Sequence, residues 1–583
     1  MTEAGSPGAV PPGAGSRGAS LPGAGSSGVG LPGETPLETP VLIVGAGPIG
    51  LGMALELAYR RNASIVVEQG AEPDGGVILA KATGLNERSL ELLRRWGLSD
   101  AIARFDYPDD LPMTTFYCTA LNGKLLGADP RPSIRDRPIP PFSPVKRRPC
   151  PQHLLDPLLT QAARRTGMTT IRFGSRLETL QQNEQGVTAR IRDAASGGSY
   201  TIRARFAVAC DGAGSTVRRL LGIPFPGRDL GDSISAIVRI PDFRRHAEVG
   251  RGARYMFIGA NGTWSNLLAM NGSDVWRLVL MGPDAALEPN EAQMAAAIRR
   301  ALGREDLPFE ILRLGRWRRS QCLAERYRAG RVMLAGDAAH TMSPTGGHGL
   351  NTGFGDVFSL GWMLDAMLHG WGGEHLLDAY GAERRPIAFR NGEISSENFS
   401  RWLGATDFSR VFDESPGGDA ERERIGRELS ASLQQEWFSV GVAMGYRYEG
   451  SPIVVNDGTP APPDEISSYT QTARPGHRAP HAWLTDGRST IDLFGRGFVL
   501  LRFGGPADDV EPLIAAAHRH GVPVSVVDID VPEIATLYER RLVLVRPDGH
   551  VAWRGDELPG DPLELIDVVR GAGGRSGSSN PNG

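Results

Sequence analysis

Lysine is nearly missing from this 583-residue chain: Lys81, Lys124 and Lys146 stand among 63 basic residues, so arginine carries the positive charge, a bias of coding rather than of function. There is no large excess of either sign. A formal net charge of −4 gives no basic field, which argues against nucleic acid and against an anionic membrane surface as partners. The four cysteines, Cys118, Cys150, Cys210 and Cys322, lie far apart and form no CxxC pair, which leaves no disulfide framework and no metal site of the zinc type. A reducing cytoplasm is therefore the expected setting. No apolar run reaches the roughly 18 residues of a membrane span, and the first residues lack the basic-then-apolar order of a signal peptide, so a soluble, unexported protein is expected.

What the chain has in quantity is length and glycine. Its 583 residues suit about two to four domains, because single cores rarely grow past about 250–300 residues. Residues 1–39 are dominated by Gly, Pro, Ser and Ala and hold too little apolar surface to order themselves; 571–583 read alike, and both are expected to be flexible tails. Between them, 41–44 reads as a buried strand, 51–61 as a helix and 65–67 as a second strand, a βαβ unit. Leu154, Leu158 and Ala162 then recur at helical spacing, and short strands are predicted at 171–173, 187–191, 200–202 and 206–209. From 226 to 325, alternating segments between Gly, Asn and Asp turns predict a mostly β insertion. A strand at 332–335 and a long helix at 350–369 resume the first domain, which is therefore discontinuous, 40–225 and 326–400, with part of 100–150 joining the insertion. Residues 401–480 read as charged helices and a Pro/Asp-rich linker, and 481–570 as an α/β domain with βαβ…ββ order.

Two turns carry the chemistry. In Gly45-x-Gly47-Pro48-x-Gly50 the first glycine allows a tight turn, the second lets a pyrophosphate approach the backbone, and the third lets helix pack on strand. Phosphate would sit on the positive helix N-terminus. Glu68 ends the second strand, where a carboxylate accepts hydrogen bonds from an adenosine ribose. NAD and FAD both use such a motif. The second turn, Gly336-Asp337, follows a strand directly and sets the Asp337 carboxylate where a polyol chain such as ribityl could donate to it. Beyond it, Gly346-Gly347-His348-Gly349-Leu350-Asn351 offers backbone N–H groups at a helix start, where the dipole would favour an anionic reduced flavin.

With a third segment between these turns, Cys210-Asp211-Gly212-Ala213-Gly214-Ser215-Thr216-Val217-Arg218, the chain resembles the aromatic-ring hydroxylases, the flavoprotein monooxygenases of the para-hydroxybenzoate hydroxylase fold. Within them it is similar to the phenol and dichlorophenol hydroxylases and their antibiotic-pathway relatives, over roughly residues 40–560. The resemblance implies an α/β fold: a discontinuous Rossmann-like FAD-binding domain, a β substrate domain at 226–325 and a C-terminal thioredoxin-like domain at 481–570. No cysteine follows Cys322, so the last domain would be structural or dimer-forming rather than a thiol relay. FAD and NAD(P)H are the implied cofactors. O2 and a phenol-like, hydroxypyridine or polyketide ring are the implied reactants, joined through a flavin C4a-hydroperoxide that must be kept from water. A flavin epoxidase or oxidase on the same scaffold, and a non-catalytic flavin-binding module, are the alternatives.

The resemblance also implies roles. Glu68 would bind the adenosine ribose, Leu177 the adenine through its main chain, Gln152 the ribityl and phosphate region, and Asp337 the ribityl hydroxyls. Pro344, Gly347, Gly349, Leu350 and Asn351 would border the isoalloxazine, and Arg88 is a further cofactor contact. Asp211 and Arg218 would shape the place where the pyridine nucleotide docks. Lys81 stands where the family usually has an arginine near the pyrophosphate, keeping the charge without the planar fork. His348 replaces a common glutamine and is read as a spacer or a proton carrier; Tyr255, Tyr117 and His348 are the candidate ring-activating bases, with Pro344 beside them.

Overall fold

The computed structural model describes residues 35–72, 82–282, 290–403 and 407–573, so Lys81 and most of both expected tails lie outside the described residues. The first sheet is built from the apolar runs the sequence marks. Its strands run in the order Arg328–Ala329, Val332–Leu334, Ser199–Ala209, Leu37–Val44, Ser64–Val67 and Thr169–Arg172. The four pairings among the last five strands are parallel, which buries both faces and explains runs such as Val41, Leu42, Ile43 and Val44 without alternation. The helices Pro48–Tyr59 and His348–His369 pack beside each other in the same core. The two strands expected at 200–202 and 206–209 are one, Ser199–Ala209, in which Arg203 and Arg205 point outward while the ladder runs on. The polar strand Ser175–Gln182, which the sequence reading omits, pairs with Val187–Asp193 at the sheet's margin.

The second sheet is the β insertion, with a hairpin from earlier in the chain. Thr115–Cys118 and Leu125–Asp129 close one edge, next to Arg254–Gly259, and the order continues through Gly262–Ala269, Val275–Leu280, Gly227–Arg239, Glu310–Leu323 and His340–Thr341. Successive side chains of a strand point to opposite faces. Tyr255 and Phe257 thus enter a core shared with the helix Glu291–Leu302, while Met256 and Ile258 enter a second core against the helices Leu376–Leu403 and Pro416–Trp437. That second face turns toward the loop that precedes His348.

The C-terminal sheet has the order Val524–Asp528, Phe498–Arg502, Leu542–Val545 and Val551–Gly555, the 2-1-3-4 arrangement of a thioredoxin-like βαβ–ββ unit. It is seated on the first core: Phe498 meets Trp362 edge-on at 5.9 Å between ring centroids, and Arg546 makes a two-oxygen ion pair with Glu383 at 2.5 and 2.9 Å, both side chains fully buried.

Candidate active site

Three segments far apart in sequence meet at the end of the first sheet. Gly45 donates its N–H to Val67 carbonyl at 2.8 Å and adopts φ +105°, and a Cβ there would lie 2.4 Å from the Cys210 carbonyl oxygen. A Cβ at Gly50 would lie 1.9 Å from the Gly45 oxygen, so both positions are closed to any larger residue. Ile49 packs on Gly336 of the second turn, where a Cβ would come within 2.9 Å of it. The third segment is joined by Arg218, whose guanidinium donates to the Ala213 carbonyl at 2.7 Å and the Ala338 carbonyl at 2.9 Å and lies 3.7 Å over the Phe225 ring.

Around this junction lie the groups that a dinucleotide would meet. The helices Pro48–Tyr59 and His348–His369 both start without a side-chain cap, from Gly47 and Gly347, so the N–H groups of their first turns have no side-chain acceptor. Among the described residues, a Cβ built on Gly47 or on Gly347 would meet nothing within 4 Å, so each helix start opens on space that they leave free. Glu68 is half-buried, accepting the Ala46 N–H at 2.9 Å and the Gly70 N–H at 2.8 Å. The strand carrying Leu177 is held beside it by the Ser175 N–H, 2.7 Å from the Glu68 carbonyl, with the Leu177 side chain buried. Gln152 opens the helix Gln152–Arg165, its amide donating to Asp156 at 3.1 Å. Asp337 is half-buried, and its carboxylate has no hydrogen-bond partner among the described residues. One oxygen of Asp211 is likewise buried and unpartnered, the other accepting the N–H groups of Thr216 and Val217. Two uncapped helix starts, an open glycine at each and a partnerless carboxylate beside them fit a ligand with a pyrophosphate and a polyol, as FAD has.

The Gly336-Asp337 turn is fixed from behind by Asp356, a residue outside both sequence motifs. Asp356 accepts the Gly336 N–H at 3.0 Å, His340 at 2.9 Å and Arg384 at 2.9 Å. Burial works to raise its pKa, but His340 and Arg384 outweigh that and hold it below the usual carboxylate range. The loop before His348 is fixed from the other side: Glu436 accepts the Gly346 N–H, Thr345 donates to the Ser395 carbonyl at 2.5 Å, and Asn351 locks to Asn86, Ser89 and the Gly347 carbonyl. Pro344 and Gly347 are exposed on this loop; Gly349 and Leu350 are half-buried.

Several expected site residues are engaged by other partners. Arg88 faces the C-terminal unit, donating to the Asp548 carbonyl at 2.6 Å and to Glu91 at 3.0 Å, with its guanidinium over Phe358. It is a clamp between units. Arg218 uses its fork on the Ala213 and Ala338 carbonyls and so braces the turns. Tyr255 lies on the sheet face away from the loop, its hydroxyl donating to the Gly250 carbonyl at 2.8 Å and accepting the Gly252 N–H at 3.1 Å; burial raises its pKa well above the ordinary phenol value. A cavity of about 10 Å³ beside it, between Phe243 and Trp276, is no larger than a water. Tyr117 does lie on the loop's side, but its hydroxyl is tied to Asp129 at 2.5 Å and to the Trp437 indole at 3.2 Å, and burial, with Asp129, raises its pKa. His348 is buried beneath Gly346, its Nε2 without a partner, and burial, aided by Arg147 and Arg390, pushes its pKa down to about 4. It is neutral at pH 7. A cavity of about 20 Å³ lined by His348, Asn351, Arg384 and Asn391 has room for one water behind it.

Comparison with known proteins agrees with this geometry. Residues 38–393 match the family described as FAD binding domain, and residues 472–575 the family described as aromatic-ring hydroxylase, C-terminal. A tetracenomycin B2 monooxygenase-dioxygenase of Streptomyces olivaceus is 33% identical over 91% of this chain and 98% of its own. A 2,4-dichlorophenol 6-monooxygenase of Delftia acidovorans is 30% identical over 90% of this chain and 97% of its own. Among solved structures, RebC with bound 7-carboxy-K252c superposes with a TM-score of 0.86 at 38% identity, covering 92% of this chain and all of that one. The chain belongs to the FAD-binding-domain family of flavin-dependent monooxygenases and ends in the C-terminal domain of the aromatic-ring hydroxylases.

Proposed function

We propose that this protein hydroxylates an aromatic ring with FAD, NAD(P)H and O2. The observation that carries the reading is the pair of uncapped helix starts, each preceded by an open glycine, with the Asp337 carboxylate beside them, which has no partner among the described residues. The first start, with Gly45, Gly47, Pro48 and Gly50, would hold the pyrophosphate; Glu68 the adenosine ribose, Leu177 the adenine, Asp337 and Gln152 the ribityl chain, and Gly347, Gly349, Leu350 and Asn351 the isoalloxazine. Lys81 is assigned to the pyrophosphate by resemblance alone. Bound FAD would supply the redox chemistry, taking two electrons from NAD(P)H and giving one atom of O2 to the ring and the other to water.

The chain's own part is binding, orientation and exclusion of water. Asp211 and the open Gly212 and Gly214 are the proposed approach for the pyridine nucleotide. The ring is assigned to the margin of the core of Met256, Trp402 and Trp437, on the side of the second sheet that turns toward the loop, where half-buried Arg254 lies over the Trp437 ring and reaches Glu436 at 3.5 Å. The dichlorophenol relative supports a phenol-like substrate, with hydroxypyridines and polyketide aromatics as the other classes. We further assign a cytoplasmic setting and a homodimer. In the test, protein reconstituted with FAD is yellow and its NAD(P)H oxidation accelerates with a suitable ring; protein that stays colourless with FAD present refutes the proposal.

A further inference from the structure

The loop that would face the flavin is held by a helix that lies in neither matched family segment. Glu436, next to the end of the helix Pro416–Trp437, is 3% exposed. Its Oε1 accepts the Gly346 N–H at 3.1 Å and faces Arg254 Nη1 at 3.5 Å, while its Oε2 accepts the Trp402 indole N–H. Gly346 adopts φ +83°, a conformation reserved largely for glycine, and in it the N–H is aimed at Glu436. Trp402 in turn belongs to the layer that packs on the second sheet with Met256, Val279 and Trp437. One carboxylate thus joins the loop to the wall assigned to the ring substrate.

We propose that Glu436 is a positioning residue that sets the flavin loop against the substrate wall, coupling the place of one to the packing of the other. The inference rests on the reading that residues 344–351 border bound FAD. Chemistry explains why a carboxylate is used. Its two oxygens accept from two N–H groups pointing at it from different elements and face the half-buried guanidinium of Arg254. A glutamine fills the same volume but turns an NH2 toward one of those donors, so Glu436→Gln breaks one link and keeps the shape. Trp402→Phe removes the indole donor and leaves the carboxylate.

The test loads the wild type, Glu436→Gln and Trp402→Phe with FAD. Three quantities are read: the visible flavin spectrum, the FAD dissociation constant, and the ratio of hydroxylated product to NAD(P)H consumed. Glu436→Gln should shift the flavin bands, weaken FAD on the order of tenfold and lower the product ratio several-fold, with Trp402→Phe showing a smaller change of the same kind. If Glu436→Gln does not fold, Trp402→Phe and Arg254→Lys carry the test by the same readouts. A variant that melts lower yet keeps the wild-type spectrum, FAD affinity and product ratio overturns the inference and makes Glu436 merely structural. Wild-type protein that binds no FAD overturns the flavin reading itself, a distinct result.

Discussion

Substituting Gly47 by alanine separates a ligand site from a structural turn. The backbone there has φ −74° and ψ 178°, an extended conformation that alanine adopts without strain, and a Cβ would meet nothing within 4 Å. The chain without ligand should therefore fold as before, with a stability change inside about 1 kcal/mol and of stabilising sign, because alanine narrows the unfolded ensemble. The same methyl stands where a phosphate must approach the N–H groups of the first helical turn. Losing one hydrogen bond to a charged group costs about 1.5–3 kcal/mol, which is roughly 10- to 150-fold in dissociation constant. Calorimetric melting of the apoprotein and FAD titration by fluorescence quenching measure the two effects separately. Gly50→Ala is the contrast: its Cβ would lie 1.9 Å from the Gly45 oxygen, so it should lower both melting temperature and FAD affinity. Gly47→Ala with FAD affinity within twofold of wild type refutes the pyrophosphate assignment.

Asp337→Ala should retain the fold, since the carboxylate has no partner among the described residues, and lose FAD during gel filtration; full retention of flavin counts against the ribityl role. Asp156 is buried, and burial raises its pKa from 3.8 to about 7 against the opposing Gln152 hydrogen bond. The folded state thus binds the proton more tightly than the unfolded one, and stability falls as pH rises from about 4 to 7. Asp156→Asn should raise the melting temperature at pH 8, by at most about 4 kcal/mol of stability, and leave it unchanged below pH 4; equal effects at both pH values contradict the assignment. Tyr255→Phe should cost about 1–3 kcal/mol of stability through its Gly250 and Gly252 hydrogen bonds and spare the turnover rate, whereas a tenfold slower enzyme of unchanged melting temperature restores Tyr255 as a base.

The first βαβ unit was legible because its signals are local: an apolar strand, glycines at fixed offsets, a helix and an acid ending the next strand all lie between Val41 and Glu68. The Gly336-Asp337 turn was legible for the same reason. What holds the site in place was not. Glu436 reads as one more acid on a helix laced with local pairs such as Arg424 with Glu421, and its partners are 182, 90 and 34 positions away. Arg88 lies in the right segment to suggest a cofactor contact, but it is claimed by a carbonyl 460 positions later. Alternation along 254–259 puts Tyr255 and Met256 on opposite faces, and only the packing of the helix Pro416–Trp437 fixes which face meets the loop. The polar strand Ser175–Gln182 lacks the apolar run that marks a buried strand, because it lies at the margin of its sheet.

Turnover under oxygen-18 gas tests the central claim most directly, with FAD-loaded protein, NADH or NADPH, and a panel of phenols, hydroxypyridines and polyketide aromatics. The account predicts a substrate whose product carries one oxygen-18 atom on the ring, formed while NAD(P)H oxidation accelerates. NAD(P)H oxidation indifferent to every ring in the panel and ending only in hydrogen peroxide, with no labelled product, contradicts it.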